Sequence, residues 1–191
     1  MTTLCWVRHG ETAWNVARRL QGQEDIPLND HGRRQAQAVG RYLKAFAWDA
    51  MVSSPLLRAW ETAEIIAQAA GLQPPVAMAE IIERNYGRAS GLTPEERAQQ
   101  FADGAAPDIE PLEAMRDRVS QALNQLRLGY PHQRVVIVSH GGTINTVLWL
   151  ASNGRIGTGK TVLANASISV IRDQGAAWKI ECFNKTVGDS E

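Results

Sequence analysis

The stretch RVVIVSHGG, residues 134–142, carries the strongest strand signal in the chain and decides the fold class. Its Val-Val-Ile-Val run is β-branched and free of polar residues, which is typical of a strand buried on both faces of a parallel sheet. Parallel strands need helical crossovers, so this stretch predicts an α/β fold. The His-Gly-Gly at 140–142 follows the carboxyl end of the strand, where ligands bind in open α/β sheets.

Apolar runs and amphipathic stretches alternate on either side of this strand. Strands are predicted over residues 3–7, 49–54 and 76–82, with a terminal hairpin formed by ASISVIRD and AWKIECFN. Helices are predicted over 30–46 with Asp30 as its cap, 55–71, 94–102, 111–128 and 141–153. This order predicts a three-layer α/β/α sandwich with a mostly parallel sheet and an antiparallel edge. Residues 84–110 interrupt the pattern and are predicted to form a small lid insertion in a single domain spanning 1–191.

The composition excludes several classes of function. Twenty basic and twenty acidic residues cancel in this chain of 191 residues, so no net field attracts nucleic acid or an anionic membrane. No run resembles a signal peptide or a membrane span, so a cytoplasmic protein is expected. Cys5 and Cys182 lie in apolar runs and are predicted to be buried rather than paired. The histidines show no metal-binding spacing, so neither a metal nor another cofactor is expected.

The stretch GRIGTGKT, residues 154–161, matches the pattern of the phosphate-binding loop of ATPases and GTPases. A working loop of that kind follows a strand and opens a helix, because the helix N-terminus points at the phosphates. Here a predicted helix comes before the stretch and a predicted strand comes after it. The sequence therefore predicts a tight helix-to-strand connection, with Lys160 as a solvated charge or a contact at the rim of a site.

Four polar side chains follow three predicted strands. Arg8 and His9 come directly after the first strand, and His140 comes directly after the strongest one. Arg58 lies in the first turn of the helix that follows the strand over 49–54. A lone histidine is more often a hydrogen-bonded core residue. Two His-Gly pairs and an arginine at strand ends instead favour one site at a common edge of the sheet.

Such a cluster has the chemistry of phosphoryl transfer. Guanidiniums bind a phosphoryl dianion through bidentate, charge-assisted hydrogen bonds, and they neutralise its oxygens in the transition state without magnesium. A neutral imidazole presents a lone pair near pH 7 and attacks phosphorus. The leaving oxygen needs a proton, and Glu83 is the candidate donor, since burial beside a phosphate favours its protonated form. A surface glutamate is an equally good interpretation of the spacing alone.

The chain resembles the histidine phosphatase superfamily, also called phosphoglycerate mutase-like. The matching segments are VRHGETAWN, LQGQEDIPLNDHGRRQA, VSSPLLRAWETAEII, ERNYGRASGL, VIVSHGGTIN and NASISVI. The resemblance implies that His9 is phosphorylated in turnover and that Glu83 is the proton donor. It also implies a phosphate pocket completed by Arg8, Arg58, His140, Asn15 and the backbone near Gly141, with Gln21 and Gly22 on a turn that contacts substrate.

Phosphatases and mutases of this family differ in what receives the phosphoryl group. ERNYG is mutase-like, and Arg84 would bind a second anionic group. Against that, glycolytic mutases resemble ERHYGALQGLNK where this chain has ERNYGRASGLTP, so Pro94 replaces a lysine. SHGG is the phosphatase-like form, where mutases resemble AHGNS. A phosphomonoesterase acting on a small phosphorylated metabolite is therefore the preferred prediction, and a phosphoglycerate mutase is the alternative. An inactive binding protein is disfavoured, because all five core residues are present.

Three points stay open in the sequence. Trp14, Arg18, Arg19 and Arg88 face the predicted lid or are solvated surface residues. The physiological substrate is not specified. The apolar strand over 166–171 either pairs with another subunit in a homodimer or is covered by the terminal hairpin.

Overall fold

A mixed sheet runs through the middle of the molecule. The structure, a computed structural model, describes residues 1–101 and 106–188. The strands in this part are β1 (Thr3–Arg8), β2 (Ala50–Ser53), β3 (Val76–Ala77), β4 (Arg134–Ser139), β5 (Ile168–Asp173) and β6 (Trp178–Lys185). The α-helices are α1 (Ala13–Val16), α2 (Asp30–Leu43), α3 (Leu57–Ala70), α4 (Pro94–Gln100), α5 (Leu112–Gly129) and α6 (Gly141–Ala151). Short 3₁₀ turns cover Ala79–Ile81 and Gly87–Ala89.

The strand order places three functional strand ends side by side. The order is β3-β2-β4-β1-β5-β6, and β4 pairs in parallel with both β1 and β2. Arg8 lies opposite Ser139, and Ser53 lies opposite Val138, so the carboxyl ends of these strands reach the same edge of the sheet. The last two strands are antiparallel. The prediction of a mostly parallel sheet with an antiparallel edge is confirmed.

Both faces of the sheet are covered by helices. Alternate β1 side chains point to opposite faces, as the two-residue period of a strand requires. Leu4 and Trp6 join the apolar cluster that packs against α5 and α6. Cys5 and Val7 join the cluster that packs against α2 and α3. The predicted three-layer α/β/α sandwich is therefore present, and the fully apolar central strands follow from burial on both faces.

Several predicted boundaries need correction. Asn29, rather than Asp30, caps α2, because the Asn29 side chain accepts a hydrogen bond from the Gly32 backbone at 2.8 Å. The strand predicted over 76–82 ends at Ala77 and continues into a 3₁₀ turn. The helix predicted over 94–102 ends at Gln100, and its predicted last residue lies outside the described residues. Cys5 is buried as predicted, but Cys182 is only half-buried.

The structure shows what covers β5 and how the glycine-rich stretch 154–161 is used. Strand β5 pairs with β1 on one side and with β6 on the other, so the hairpin covers the strand that the sequence left open. The glycine-rich stretch 154–161 connects α6 to β5, in the helix-to-strand order that was predicted. There the Lys160 Nζ donates to the Gly154 carbonyl at 2.6 Å. In the described part of the chain, no helix is both long and apolar enough to cross a membrane.

Close packing of α2 against α3 depends on a glycine. A Cβ atom on Gly40 would lie 2.6 Å from the Ala69 Cβ and 3.2 Å from the Ile66 Cα. Both distances are shorter than normal van der Waals contact. The two helices therefore approach each other closely at a point where a larger residue would displace its neighbours.

We predict that Gly40→Ala destabilises the protein. Alanine favours a helix by about 1 kcal/mol over glycine, but overpacking costs about 1–3 kcal/mol, so the free energy of unfolding in urea should fall. Gly129→Ala is the matched control, since a Cβ atom there meets nothing within 4 Å. It should leave the stability unchanged or slightly raised. Equal free energies of unfolding for the two variants would contradict this packing argument.

Candidate active site

Three strand ends bring two histidines and an arginine together. His9 follows β1 and His140 follows β4, and their ring centroids lie 5.3 Å apart. Arg58, in the first turn of α3, donates from its Nε to the His9 Nε2 at 3.3 Å. All three side chains are buried. The parallel register of β1, β4 and β2 therefore assembles the cluster that the sequence placed at strand ends.

The hydrogen bonds of His9 define its reactive nitrogen. The His9 Nδ1 lies 2.7 Å from the Gly10 carbonyl oxygen, which can only accept, so the proton is on Nδ1. The Nε2 lone pair then faces Arg58. Burial lowers the pKa of His9 well below its ordinary value, and the Arg58 and Arg8 charges lower it further. His9 is therefore a neutral imidazole near pH 7, with a lone pair on Nε2.

Arg58 is held by the loop that precedes α2. Its Nη1 donates to the Glu24 carbonyl and its Nη2 to the Gly22 carbonyl, both at 2.7 Å. Gly22 adopts a φ of 51°, in the left-handed region that favours glycine. Burial lowers the pKa of Arg58 to about 10, which still leaves the guanidinium charged at neutral pH. The loop therefore fixes a cation against the His9 ring.

Arg8 supplies a second guanidinium. It donates to the Leu163 carbonyl, and within residues 1–101 and 106–188 its buried Nε has no hydrogen-bond partner. Burial lowers the pKa of Arg8, and the Glu83 charge acts in the opposite direction. A Cβ atom on Gly141 would lie 3.4 Å from the Arg8 Nε, so the start of α6 closely approaches this guanidinium.

Glu83 lies at the N-terminus of α6. Its carboxylate accepts hydrogen bonds from the backbone amides of Gly142 at 3.0 Å and Thr143 at 3.2 Å. The Arg84 backbone amide donates to it at 2.8 Å. A Cβ atom on Gly142 would lie 2.5 Å from the Glu83 Oε1, so the second glycine of SHGG leaves the space that the carboxylate occupies.

His140 lies behind His9 rather than in the wall of the cavity. The His140 Nε2 is 2.7 Å from the Ser54 hydroxyl, at the end of β2. The buried Nδ1 has no hydrogen-bond partner in the described part of the chain. Burial lowers the pKa of His140 well below its ordinary value, and the Arg58 charge adds to that effect. The Ser54 contact therefore orients a neutral ring beside His9.

The Asn15 side chain is oriented by Thr12 and by Asn165, neither of which the sequence analysis assigned to the site. The Asn15 Oδ1 accepts hydrogen bonds from the Thr12 amide and from the Asn165 Nδ2, both at 3.1 Å. Its own Nδ2 is therefore the group left to donate into the cavity. Thr12 also donates to the Gln21 Oε1 at 3.0 Å, so the predicted Gln21 belongs to the same network.

A cavity of about 640 Å³ opens over His9. Among the predicted residues, it is lined by Arg8, His9, Asn15, Arg18, Arg19, Gln21, Gly22, Arg58, Glu83 and Gly141. It is also lined by residues that the sequence analysis did not assign to a site, among them Tyr86, Arg97, Asn145 and Leu163. Tyr86 lies in the quoted ERNYG motif, which could have indicated it. Arg97 lies on a predicted helix and gives no signal of its own.

Three predicted or considered cations do not reach this cavity. The Arg84 Nε donates to the Glu110 carbonyl at 2.8 Å, and its guanidinium lies 5.7 Å from the Tyr86 ring centroid. The Arg84 side chain is thus directed to the segment before α5, and its contact with substrate stays a prediction. The Arg88 backbone amide and guanidinium contact Asp108, and Lys160 contacts its own loop. Of the predicted lid over 84–110, residues 102–105 lie outside the described residues.

The arrangement of possible metal ligands is the next feature of the site. Across 1–101 and 106–188, no group of three or more His, Cys, Asp or Glu side chains is placed to hold a metal ion. The positive charges around His9 are guanidiniums.

Proteins of one family resemble this chain along almost its whole length. The family described as "Histidine phosphatase superfamily (branch 1)" matches residues 4–186. The chain is 44% identical over 184 residues to the "Uncharacterized phosphatase PhoE" of Bacillus subtilis (strain 168), covering 96% of this chain and 95% of that protein. It is 36% identical to the "Probable phosphoglycerate mutase GpmB" of Proteus mirabilis (strain HI4320), covering 90% and 85%.

A solved structure shares the fold along the chain. The phosphoserine phosphatase of Entamoeba histolytica, in complex with 3-phosphoglyceric acid, matches with a TM-score of 0.84 and 30% identity. The match covers 97% of this chain and 98% of that one. The relatives therefore include proteins named as phosphatases and as mutases.

The lowered pKa values of the two histidines predict a pH-dependent stability. In the unfolded chain a histidine takes up a proton near its ordinary pKa of 6.5, whereas buried His9 and His140 stay neutral to lower pH. Stability that is present above pH 6.5 is therefore lost as the pH falls, by up to about 1.4 kcal/mol per pH unit for each histidine.

Urea denaturation of the wild type and of His9→Gln at pH 7.5, 6.5 and 5.5 checks this prediction. Between pH 6.5 and 5.5, the wild type should lose about 1 kcal/mol more of its free energy of unfolding than the variant. Parallel pH profiles for the two proteins would show that burial of His9 does not disfavour its charged form.

Proposed function

This chain belongs to the histidine phosphatase superfamily, branch 1, and we propose that it is a phosphomonoester hydrolase that works through a phosphohistidine at His9. The proposal rests on the protonation of His9 and on the groups that contact its ring. Its Nδ1 donates to the Gly10 carbonyl, its Nε2 carries the lone pair and accepts a hydrogen bond from the Arg58 Nε at 3.3 Å, and the Arg8 charge also acts on the ring. A neutral nucleophile among cations suits attack on an anionic phosphoryl group.

The first step transfers the phosphoryl group to the enzyme. The His9 Nε2 lone pair forms a bond to phosphorus while the bond from phosphorus to the ester oxygen breaks. The leaving oxygen takes a proton from the Glu83 carboxyl group, so the product is a neutral alcohol. In the imidazolium that forms, the Nδ1–H still donates its hydrogen bond to the Gly10 carbonyl oxygen, 2.7 Å away, which stabilises the new positive charge.

The second step returns the enzyme to its starting state. Water attacks phosphorus, the bond from phosphorus to Nε2 breaks, and the Glu83 carboxylate accepts the proton that water loses. Inorganic phosphate leaves, and His9 is again neutral. Glu83 thus alternates between acid and base, and its three backbone amide donors hold it at the cavity wall in the carboxylate state.

The remaining polar groups stabilise the transferring phosphoryl group. Arg8 and Arg58 neutralise its oxygens, and Asn15 donates from the amide group that its contacts leave free. His140 does not line the cavity, so it acts by packing against the His9 ring, with 5.3 Å between the ring centroids, while Ser54 holds it in place. The cavity of about 640 Å³ matches a small phosphorylated metabolite as substrate.

A phosphoglycerate mutase is the second candidate, supported by the named GpmB relative and by the ERNYG motif. The mutase uses the same phosphohistidine but returns the phosphoryl group to a bound phosphorylated acid. Arg84, which would be the extra cation for that acid, is directed away from the cavity. Hydrolysis is the preferred proposal, because SHGG is the phosphatase-like form and the PhoE relative is 44% identical against 36% for the GpmB relative.

The phosphohistidine is open to a labelling test. Incubation with a phosphomonoester labelled in its phosphoryl group should leave acid-labile label on the wild type and on His132→Ala, a control at an exposed histidine outside the cavity. His9→Ala should remain unlabelled. Equal labelling of the wild type and His9→Ala would remove His9 as the nucleophile.

With 3-phosphoglycerate and 2,3-bisphosphoglycerate present, phosphate release should be faster than isomerisation, and the reverse order would assign the mutase activity.

The role of Glu83 predicts a dependence on the leaving group. In Glu83→Gln, kcat/KM for an alkyl phosphate should fall by about 10²–10⁴, the usual contribution of general acid catalysis. For p-nitrophenyl phosphate, whose phenolate leaves without a proton, the fall should be at least about tenfold smaller. The ratio of the two losses does not depend on how much enzyme is folded. Equal losses for both esters would contradict a proton-donor role.

A further inference from the structure

The outer half of the cavity contains cations that the phosphoryl site does not use. Arg18, Arg19 and Arg97 line the cavity beyond Arg8 and Arg58. Arg19 is neutralised, since its two terminal nitrogens lie 2.8 and 3.2 Å from the two Glu96 carboxylate oxygens. Arg18 is exposed and lies 3.9 Å from Glu95. Each of these two arginines therefore faces an acidic side chain of α4.

Arg97 differs from both of them. Its guanidinium has no hydrogen bond or ion pair with any residue in 1–101 or 106–188, and its Nε is buried without a partner there. A buried donor without an acceptor is costly, and a guanidinium has five donors and no acceptor. The structure thus keeps a cation in the cavity wall whose hydrogen-bonding capacity is unused.

Tyr86 adds a neutral donor to the wall of the same cavity as Arg97. Its hydroxyl makes no hydrogen bond within the described residues. Burial raises the pKa of Tyr86, and the Glu83 charge raises it further. The phenol keeps its proton at neutral pH, so both groups can donate to an incoming acceptor.

Charge balance shows what kind of acceptor fits. With Arg18 and Arg19 facing Glu95 and Glu96, the unneutralised guanidiniums of the cavity are Arg8, Arg58 and Arg97. When Glu83 is protonated, a phosphoryl dianion balances the first two. One positive charge is left at Arg97, in the cavity that Tyr86 also lines. A planar carboxylate matches the paired N–H groups of a guanidinium, and its second oxygen has room for a further donor.

We propose that Arg97 and Tyr86 form a second anion subsite, so that the substrate is a phosphomonoester whose organic part carries a carboxylate. This inference rests on the proposed hydrolase function. Arg97 selects the substrate by binding the carboxylate and takes no part in bond breaking. It should therefore act mainly on KM, because the contact exists in both the bound substrate and the transition state.

Two pairs of substrates that differ only in the carboxylate provide the test. O-phosphoserine is compared with O-phosphoethanolamine, and 3-phosphoglycerate with glycerol 3-phosphate. p-Nitrophenyl phosphate reports hydrolysis without any such group. The proteins are the full-length wild type, Arg97→Gln, and Arg88→Gln as a matched control, since Arg88 lies in the same insertion, contacts Asp108 and does not line the cavity.

The wild type should favour the carboxylate member of each pair by about tenfold or more in kcat/KM, the size of one charge-assisted hydrogen bond. Arg97→Gln should remove most of this preference through a higher KM, and Arg88→Gln should keep it. Arg97→Lys should restore part of it, because the charge returns without the planar fork.

Other outcomes overturn the inference. A wild type that does not distinguish the members of a pair, or a preference that survives in Arg97→Gln, would remove the subsite while hydrolysis of p-nitrophenyl phosphate left the proposed function in place. A wild type that hydrolyses none of the five esters and acquires no label on His9 would remove both proposals.

Discussion

The hydrogen bond from the His9 Nδ1 to the Gly10 carbonyl decides which ring nitrogen can react. The contact is 2.7 Å long and lies between adjacent residues, so it depends on the conformation of the turn that follows β1. That turn is fixed from two sides. The Gly10 amide donates to the Thr62 hydroxyl at 3.0 Å, and a Cβ atom on Gly10 would lie 2.5 Å from the Gly32 carbonyl oxygen. The N-terminal turn of α2 and the second turn of α3 thus hold the turn that carries His9, the proposed nucleophile.

The same elements determine the electrostatics of the site. Thr62 also donates to the Arg58 carbonyl at 2.7 Å, which links the helix that carries the cation to the turn that carries the nucleophile. Burial and nearby guanidiniums both disfavour protonation of His9. Under the proposed function, the cations that keep His9 neutral are the same groups that attract the anionic substrate, so one arrangement of charges would serve both binding and activation.

The sequence predicted the parts of the site that depend on strand ends. His9 and His140 follow buried apolar runs, Arg8 ends the first of them, and these runs give a clear local signal. Asn165 and Ser54 could not be assigned to the site in this way. Asn165 contacts a residue 150 positions away, and Ser54 contacts one 86 positions away, and no local pattern reports such distances. Arg84 and Arg97 show the same limit, because the path of the insertion decides which of them faces the cavity.

The tautomer and charge of the His9 ring, observed by ¹⁵N nuclear magnetic resonance across a pH titration, test the central claim most directly. We expect a neutral ring at pH 7 that carries its proton on Nδ1 and is unprotonated at Nε2, where it accepts a hydrogen bond from Arg58. Protonation should occur well below the ordinary pKa of 6.5, since burial and the arginine charges lower it. A ring that is protonated on Nε2 at pH 7, or one that titrates at or above 6.5, would contradict the account.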